Sequence, residues 1–133
     1  MKTVVAAAIV RDQKLLLAQR SYPDDVAGLW ELPGGKVEDG EAVSVALERE
    51  IAEELSVRIG IGRGVGEPVV LRDNLILVAR HAWLVEGEPV AVEHSAVTWV
   101  SAGELGAMAR AGELVPADAV WLDDLVALLG ESE

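Results

Sequence analysis

The sequence predicts an α/β fold, a mixed β-sheet with helices packed on its two faces. Three observations carry that prediction: strand-like apolar runs come first, a charged amphipathic helix interrupts them, and helical patterns return only after a second group of strands. With 133 residues, 51% of them apolar, the chain is expected to form one domain spanning 1–133 around a real core.

Residues 3–11, rich in valine and alanine, read as a strand that turns at Asp12-Gln13 into a second strand from Leu15 to Arg20. Ser21 to Gly28 is a loop, and Leu29 to Pro33 is a short extended piece, because the residue before a proline avoids helical space. Gly34-Gly35 is expected to turn sharply and to let the backbone approach a ligand closely. A helix then starts at about Asp39 or Gly40 and runs to Leu55. Residues 57–71 are interrupted by four glycines and suggest a bent or bulged strand, followed by strands at Leu75–Val85 and Val97–Val100. Ser101 and Glu104 are spaced as a capping box for a helix over 102–110. Pro116 and Asp118 open a last helix that reaches Leu129, with Trp121, Leu122, Leu125 and Leu128 on its apolar side. Trp83, Trp99 and Trp121 sit in apolar patterns and are assigned to the core.

Composition excludes several classes of function. The absence of cysteine removes disulfides, thiolate chemistry and zinc–cysteine sites. A net charge of −12 without a basic patch argues against nucleic-acid backbones and anionic membranes as partners. No stretch reaches the length of a membrane span, and the apolar run after Met1-Lys2 lacks a small-residue cleavage site, so a cytoplasmic location is expected. An acidic protein that handles a small anion needs a cation to bring it in.

The chemistry concentrates on the first helix. Glu50, Glu53 and Glu54 are spaced i, i+3 and i+4 on one face, while Leu47, Ile51 and Leu55 form an apolar arc beside them. Carboxylates one turn apart repel, so they either stay in water or share a cation. Oxygen ligands suit a hard divalent ion, and magnesium accepts a mixture of carboxylates, waters and phosphates. The plainer alternative is a solvated helix face.

Gly35, five residues, Glu41, seven residues, Arg49-Glu50-Ile51, Glu53-Glu54, Ser56 and Val57 together resemble the signature of the Nudix hydrolase family. The one departure is Ser56, where the family usually has the glycine that ends a helix most easily. The resemblance implies the α/β/α sandwich of that family and a magnesium ion, or manganese, held by Glu50 and Glu54. It gives Glu53 the role of ligand or of the base that activates water, and makes Arg49 the partner that holds a catalytic glutamate, with Glu41 in support. Glu93 resembles the additional metal ligand or base of MutT-type members, against an ordinary loop glutamate, and His94 beside it is placed at the surface or behind the ligands.

Gly28 to Gly35 and Leu114 to Asp118 resemble the MutT-like and cytidine-triphosphate pyrophosphohydrolase branch. Arg20 looks like its phosphate-contacting arginine, against a plain surface charge, Trp30 helps wall the base pocket, and Gly34 and Gly35 lie against the substrate. Asp118 matches an asparagine that reads the base in MutT, and an ionised aspartate there favours a base with a donor edge; its alternative is the N-cap of the last helix. The implied reaction is hydrolysis of a nucleoside or deoxynucleoside 5′-triphosphate, cytidine-type or 8-oxo-guanine-type, to the monophosphate and pyrophosphate. The alternatives are cleavage of ADP-ribose or another nucleoside diphosphate derivative, and a nucleotide sensor without catalysis. The partner is a small nucleotide, and the chain is a monomer or homodimer.

Overall fold

The structure is a computed structural model and describes residues 1–131. Its centre is β1 (Lys2–Arg11), which pairs in parallel with β6 (Leu75–Glu86) from Lys2 to Ile9. The other edge of β1 is shared. β4 (Gly34–Lys36) takes residues Val4 to Ala6, and β2 (Lys14–Gln19) takes Val10 and Arg11, so the sheet forks along one strand. β5 (Arg58–Arg72) lies outside β6, while β3 (Trp30–Glu31) and β7 (Ala96–Val100) pair with β2. The result is a mixed seven-stranded sheet.

Alternation along β1 sends its residues to two cores. Val5, Ala7 and Ile9 pack with Leu47, Ile51 and Leu55 of α1 (Val43–Leu55) on one face. Ala6, Ala8 and Val10 face the opposite way, into a core completed by α2 (Ala102–Arg110) and α4 (Leu122–Glu131) through Leu105, Leu125 and Leu128. This is the expected arrangement of helices on both faces. The capping box on α2 is formed, with Ser101 and Glu104 each accepting from the other's backbone N–H. No helix among the described residues is long and apolar enough to cross a membrane.

Several local expectations are corrected. α1 begins at Val43, not at Asp39 or Gly40, and its N-cap, Ala42, offers no side-chain bond. Gly40 is instead the left-handed corner (φ +77°) of a turn in which the Glu41 N–H donates to the Glu38 carbonyl. The last helix is broken in two: α3 (Pro116–Ala119) ends before Trp121, whose buried indole donates to the Glu67 carbonyl at 2.8 Å and ties the start of α4 to β5. Trp83 is 44% exposed rather than core, lying over Gly60, where any side chain would run into its ring. Trp99 is half-buried, with the Arg11 guanidinium 4.3 Å above it.

The C-terminus of α1 positions the site. Ser56 closes the helix in the left-handed region (φ 59°, ψ 36°), the conformation that glycine adopts without strain. The next orphan carbonyls, those of Glu54 and Leu55, accept from Val92 and Val90, both at 3.1 Å. That pairing lays the loop after β6 against the carboxylate end of α1. Ser56→Gly should relieve the left-handed strain and raise stability by about 0.5–1 kcal/mol, read as a higher urea midpoint at constant slope. An unchanged or lower midpoint would show that the serine side chain, not the backbone, fixes this terminus.

Candidate active site

Arg49 gathers the motif residues. Its Nε and Nη2 donate to the two oxygens of Glu41, each at 2.9 Å, its Nη1 donates to Glu50 at 2.9 Å, and its Nη2 also reaches the Lys36 carbonyl at 3.1 Å. This paired geometry holds the Glu41 carboxyl down at about 2, helped by the Glu38 N–H, and pushes the guanidinium pKa up. The loop, β4 and α1 are thereby tied at one point. Gly34 and Gly35 do not make a sharp turn: they are β4, strand residues paired with Val5 and Ala6. A side chain on Gly34 would strike the backbone of β1, and one on Gly35 would strike the Glu50 carboxylate. Their close approach is to the protein itself.

The three glutamates of α1 share a face but do not converge. Glu50 turns toward Arg49 and Gly35, and Glu53 stays 57% exposed with Arg49 at 3.7 Å. Glu54 alone points inward, 7% exposed, and its Oε2 has no hydrogen-bond partner. Burial first, and then the charges of Glu50, Glu93, Glu31 and Glu53, push its carboxyl up to about 8. Among the described residues no group of three or more carboxylate or histidine side chains is drawn together tightly enough to hold a metal ion as it stands. The expected set of Glu50, Glu53, Glu54 and Glu93, three from α1 and one from the loop after β6, is therefore near in space without being closed. The orphaned oxygen of Glu54 nevertheless has the chemistry a hard cation requires.

Glu54 opens into a polar cavity of about 100 Å³ that it shares with Glu93, His94, Glu31, Arg20 and Gly34. The loop pinned to α1 brings Glu93 here, exposed at the rim. His94 is not at the surface: its side chain is 8% exposed, with Nε2 3.0 Å from Glu31 and Nδ1 4.0 Å from Glu54. Arg20 donates from Nη1 to both oxygens of Glu31, at 3.2 and 3.4 Å, and from Nε to the Tyr22 carbonyl at 3.0 Å. Sequence reasoning passes over Glu31. The available signal was a lone carboxylate inside the otherwise apolar extended stretch from Leu29 to Pro33.

A second cavity, about 330 Å³, adjoins the first and shares Arg20, Glu31 and Gly34 with it. Its walls are largely apolar, with Leu32, Leu71, Leu77 and Val115 among them, and Asp118 is its buried acid. Asp118 is not the cap of α4. It lies within α3, and its Oδ2 accepts from the Leu32 N–H at 2.9 Å. Burial pushes its carboxyl up to about 7, against the pull of that N–H. Trp30 does not wall this cavity: its backbone pairs with Glu113 and Val115, holding the segment that leads to Asp118, and its side chain packs against the core.

A family model of the NUDIX domain matches residues 1–125. The chain belongs to the Nudix family. It is 45% identical over 132 residues to a Mycobacterium tuberculosis protein provisionally named 8-oxo-dGTP diphosphatase 2, covering 97% of this chain and 91% of that one. It is 44% identical over 134 residues to the CTP pyrophosphohydrolase of Escherichia coli, covering 96% and 93%. The solution structure of the E. coli ORF135 protein superposes with a TM-score of 0.78 at 38% identity, over 99% of this chain and 93% of that one. The mixed sheet between helical layers is thus the Nudix sandwich.

Within this Nudix fold the buried acids make stability depend on pH. Asp118 has a native pKa raised to about 7 from 3.8, so the unfolded chain releases its proton first and stability is lost as pH rises through that window. Asp118→Asn keeps an acceptor for Leu32 and removes the titration. The variant should match the parent near pH 4 and melt several degrees higher at pH 8, with the Glu54 contribution cancelling in the difference. A variant less stable than the parent at pH 8 would contradict the raised pKa.

Proposed function

We propose that this chain hydrolyses a nucleoside or deoxynucleoside 5′-triphosphate to the monophosphate and pyrophosphate. The observation that carries the reading is the adjacency of two cavities, one acidic with an unpartnered carboxylate, one apolar with a buried acid, joined at Arg20 and Glu31. A base fits the apolar side, and phosphates with their cation fit the acidic side. The names of the two relatives, an 8-oxo-dGTP diphosphatase and a CTP pyrophosphohydrolase, support it.

The Nudix family generally works with magnesium or manganese. Such an ion, held by Glu50, Glu54 and the exposed carboxylates Glu53 and Glu93, would neutralise phosphate charge and make an attacking water more acidic. Glu53 or Glu93 would be the carboxylate that takes up the proton of the attacking water. Arg49 keeps Glu50 aimed through the bond from its Nη1, and Arg20 contacts a phosphate oxygen. Asp118, with a pKa near 7, is available as a carboxylic acid that both donates and accepts, as well as a carboxylate that only accepts. In the acid form it matches a base edge with a donor beside an acceptor, which cytosine and 8-oxo-guanine both present. The expected setting is the cytoplasm, with a free nucleotide rather than a nucleic acid as partner.

The test is a magnesium-dependent panel of CTP, dCTP, 8-oxo-dGTP, the ordinary triphosphates and ADP-ribose, with pyrophosphate and orthophosphate detected separately. Pyrophosphate from a cytidine or oxidised-guanine nucleotide is the expected result, and Asp118→Ala should narrow the preference among bases by ~10-fold or more. Turnover of ADP-ribose alone would overturn the substrate assignment.

A further inference from the structure

His94 is one of two histidines in the chain and is buried between two acids. Its place is set from both sides by backbone: the Val92 N–H donates to the Glu54 carbonyl on α1 at 3.1 Å, and the Ser95 N–H donates to the Gln19 carbonyl at the end of β2 at 2.9 Å. Gln19 immediately precedes Arg20. The ring is therefore braced between the carboxylate helix and the strand that delivers the arginine.

Its Nε2 lies 3.0 Å from Glu31, closer than either contact from Arg20. Those two contacts come from a single nitrogen straddling both carboxylate oxygens, not from a paired fork, and so fix direction poorly. The histidine contact is the one that decides where the Glu31 carboxylate points. An Nε2–H donated to Glu31 leaves the lone pair on Nδ1, which faces Glu54 at 4.0 Å, beyond hydrogen-bond reach. The ring thus separates Glu31 from Glu54 while bonding only Glu31. We propose that His94 is a positioning residue: by orienting Glu31 it holds Arg20 at the junction of the two cavities and sets how tightly the triphosphate is bound. This rests on the function proposed above and adds a residue to it. A histidine that served folding alone would change stability without changing affinity.

The experiment compares the parent, His94→Leu, His94→Gln, Arg20→Ala and the Arg20→Ala/His94→Leu pair in steady-state hydrolysis of CTP and 8-oxo-dGTP at saturating magnesium. His94→Leu fills the space without a donor, whereas the amide of His94→Gln can still donate to Glu31. His94→Leu should raise KM ~10-fold with kcat within ~3-fold, His94→Gln should recover most of the loss, and the double variant should be no worse than Arg20→Ala alone. An unchanged KM, a loss confined to kcat, or additive effects in the double variant would overturn the proposal. A second readout needs no turnover. Long-range ¹H–¹⁵N spectra, assigned with His81→Gln, should show His94 as the Nε2–H tautomer in the parent and a disturbed ring in Glu31→Gln. An Nδ1–H tautomer would overturn the role of His94 by itself, whereas failure of the parent to cleave either nucleotide would overturn the function on which the proposal rests.

Discussion

A carboxylate with one oxygen unpartnered in a cavity that also holds Glu31 and Glu93 is tolerable only if it stays protonated or meets a cation. Glu54 is in that position because α1 must bury Leu47, Ile51 and Leu55, and the turn that carries Leu55 inward carries its neighbour partly with it. The rest of the site follows from where α1 ends. Its last carbonyls capture the loop that brings Glu93 and His94, and the left-handed Ser56 lets the chain leave into β5 without covering the acids.

Opposite that destabilised end, Arg49 does the reverse work. Its bonds to Glu41, to Glu50 and to the Lys36 carbonyl tie the loop, α1 and β4 together, so that Glu50 has a cationic partner while Glu54, whose carboxyl is pushed up to about 8, keeps an oxygen with none. Two glutamates one turn apart are therefore given different environments by the same helix. Gly35 is required for the same reason, since only a residue without a side chain leaves room for the Glu50 carboxylate on β4.

The sandwich and the face of α1 were legible in sequence because both follow from periodicity: alternation sorted β1 between two cores, and a spacing of three and four placed the glutamates together. What sequence could not show was set by contacts distant along the chain. Asp118 reads locally as a helix cap, yet it is claimed by the Leu32 N–H across the fold. Trp30 reads as a ligand-facing aromatic, yet its backbone is taken by residues 113–115. His94 has no local pattern at all, and only the pinning of its loop to α1 and β2 reveals that it is buried. The spacing of Glu50, Glu53 and Glu54 fixes where their side chains start and not where the carboxylates finish, which is set by Arg49 for Glu50 and by solvent for Glu53.

The most direct test of the account is thermal unfolding of the parent and of Glu54→Gln with and without magnesium, at pH 5 and pH 8. At pH 8 the buried carboxyl, raised to about 8, is substantially ionised and lacks a partner. Magnesium should therefore raise the melting temperature of the parent by several degrees at pH 8, by much less at pH 5, and hardly at all in Glu54→Gln. An equal response of the two proteins, or none from the parent at pH 8, would contradict the assignment of a cation to this carboxylate.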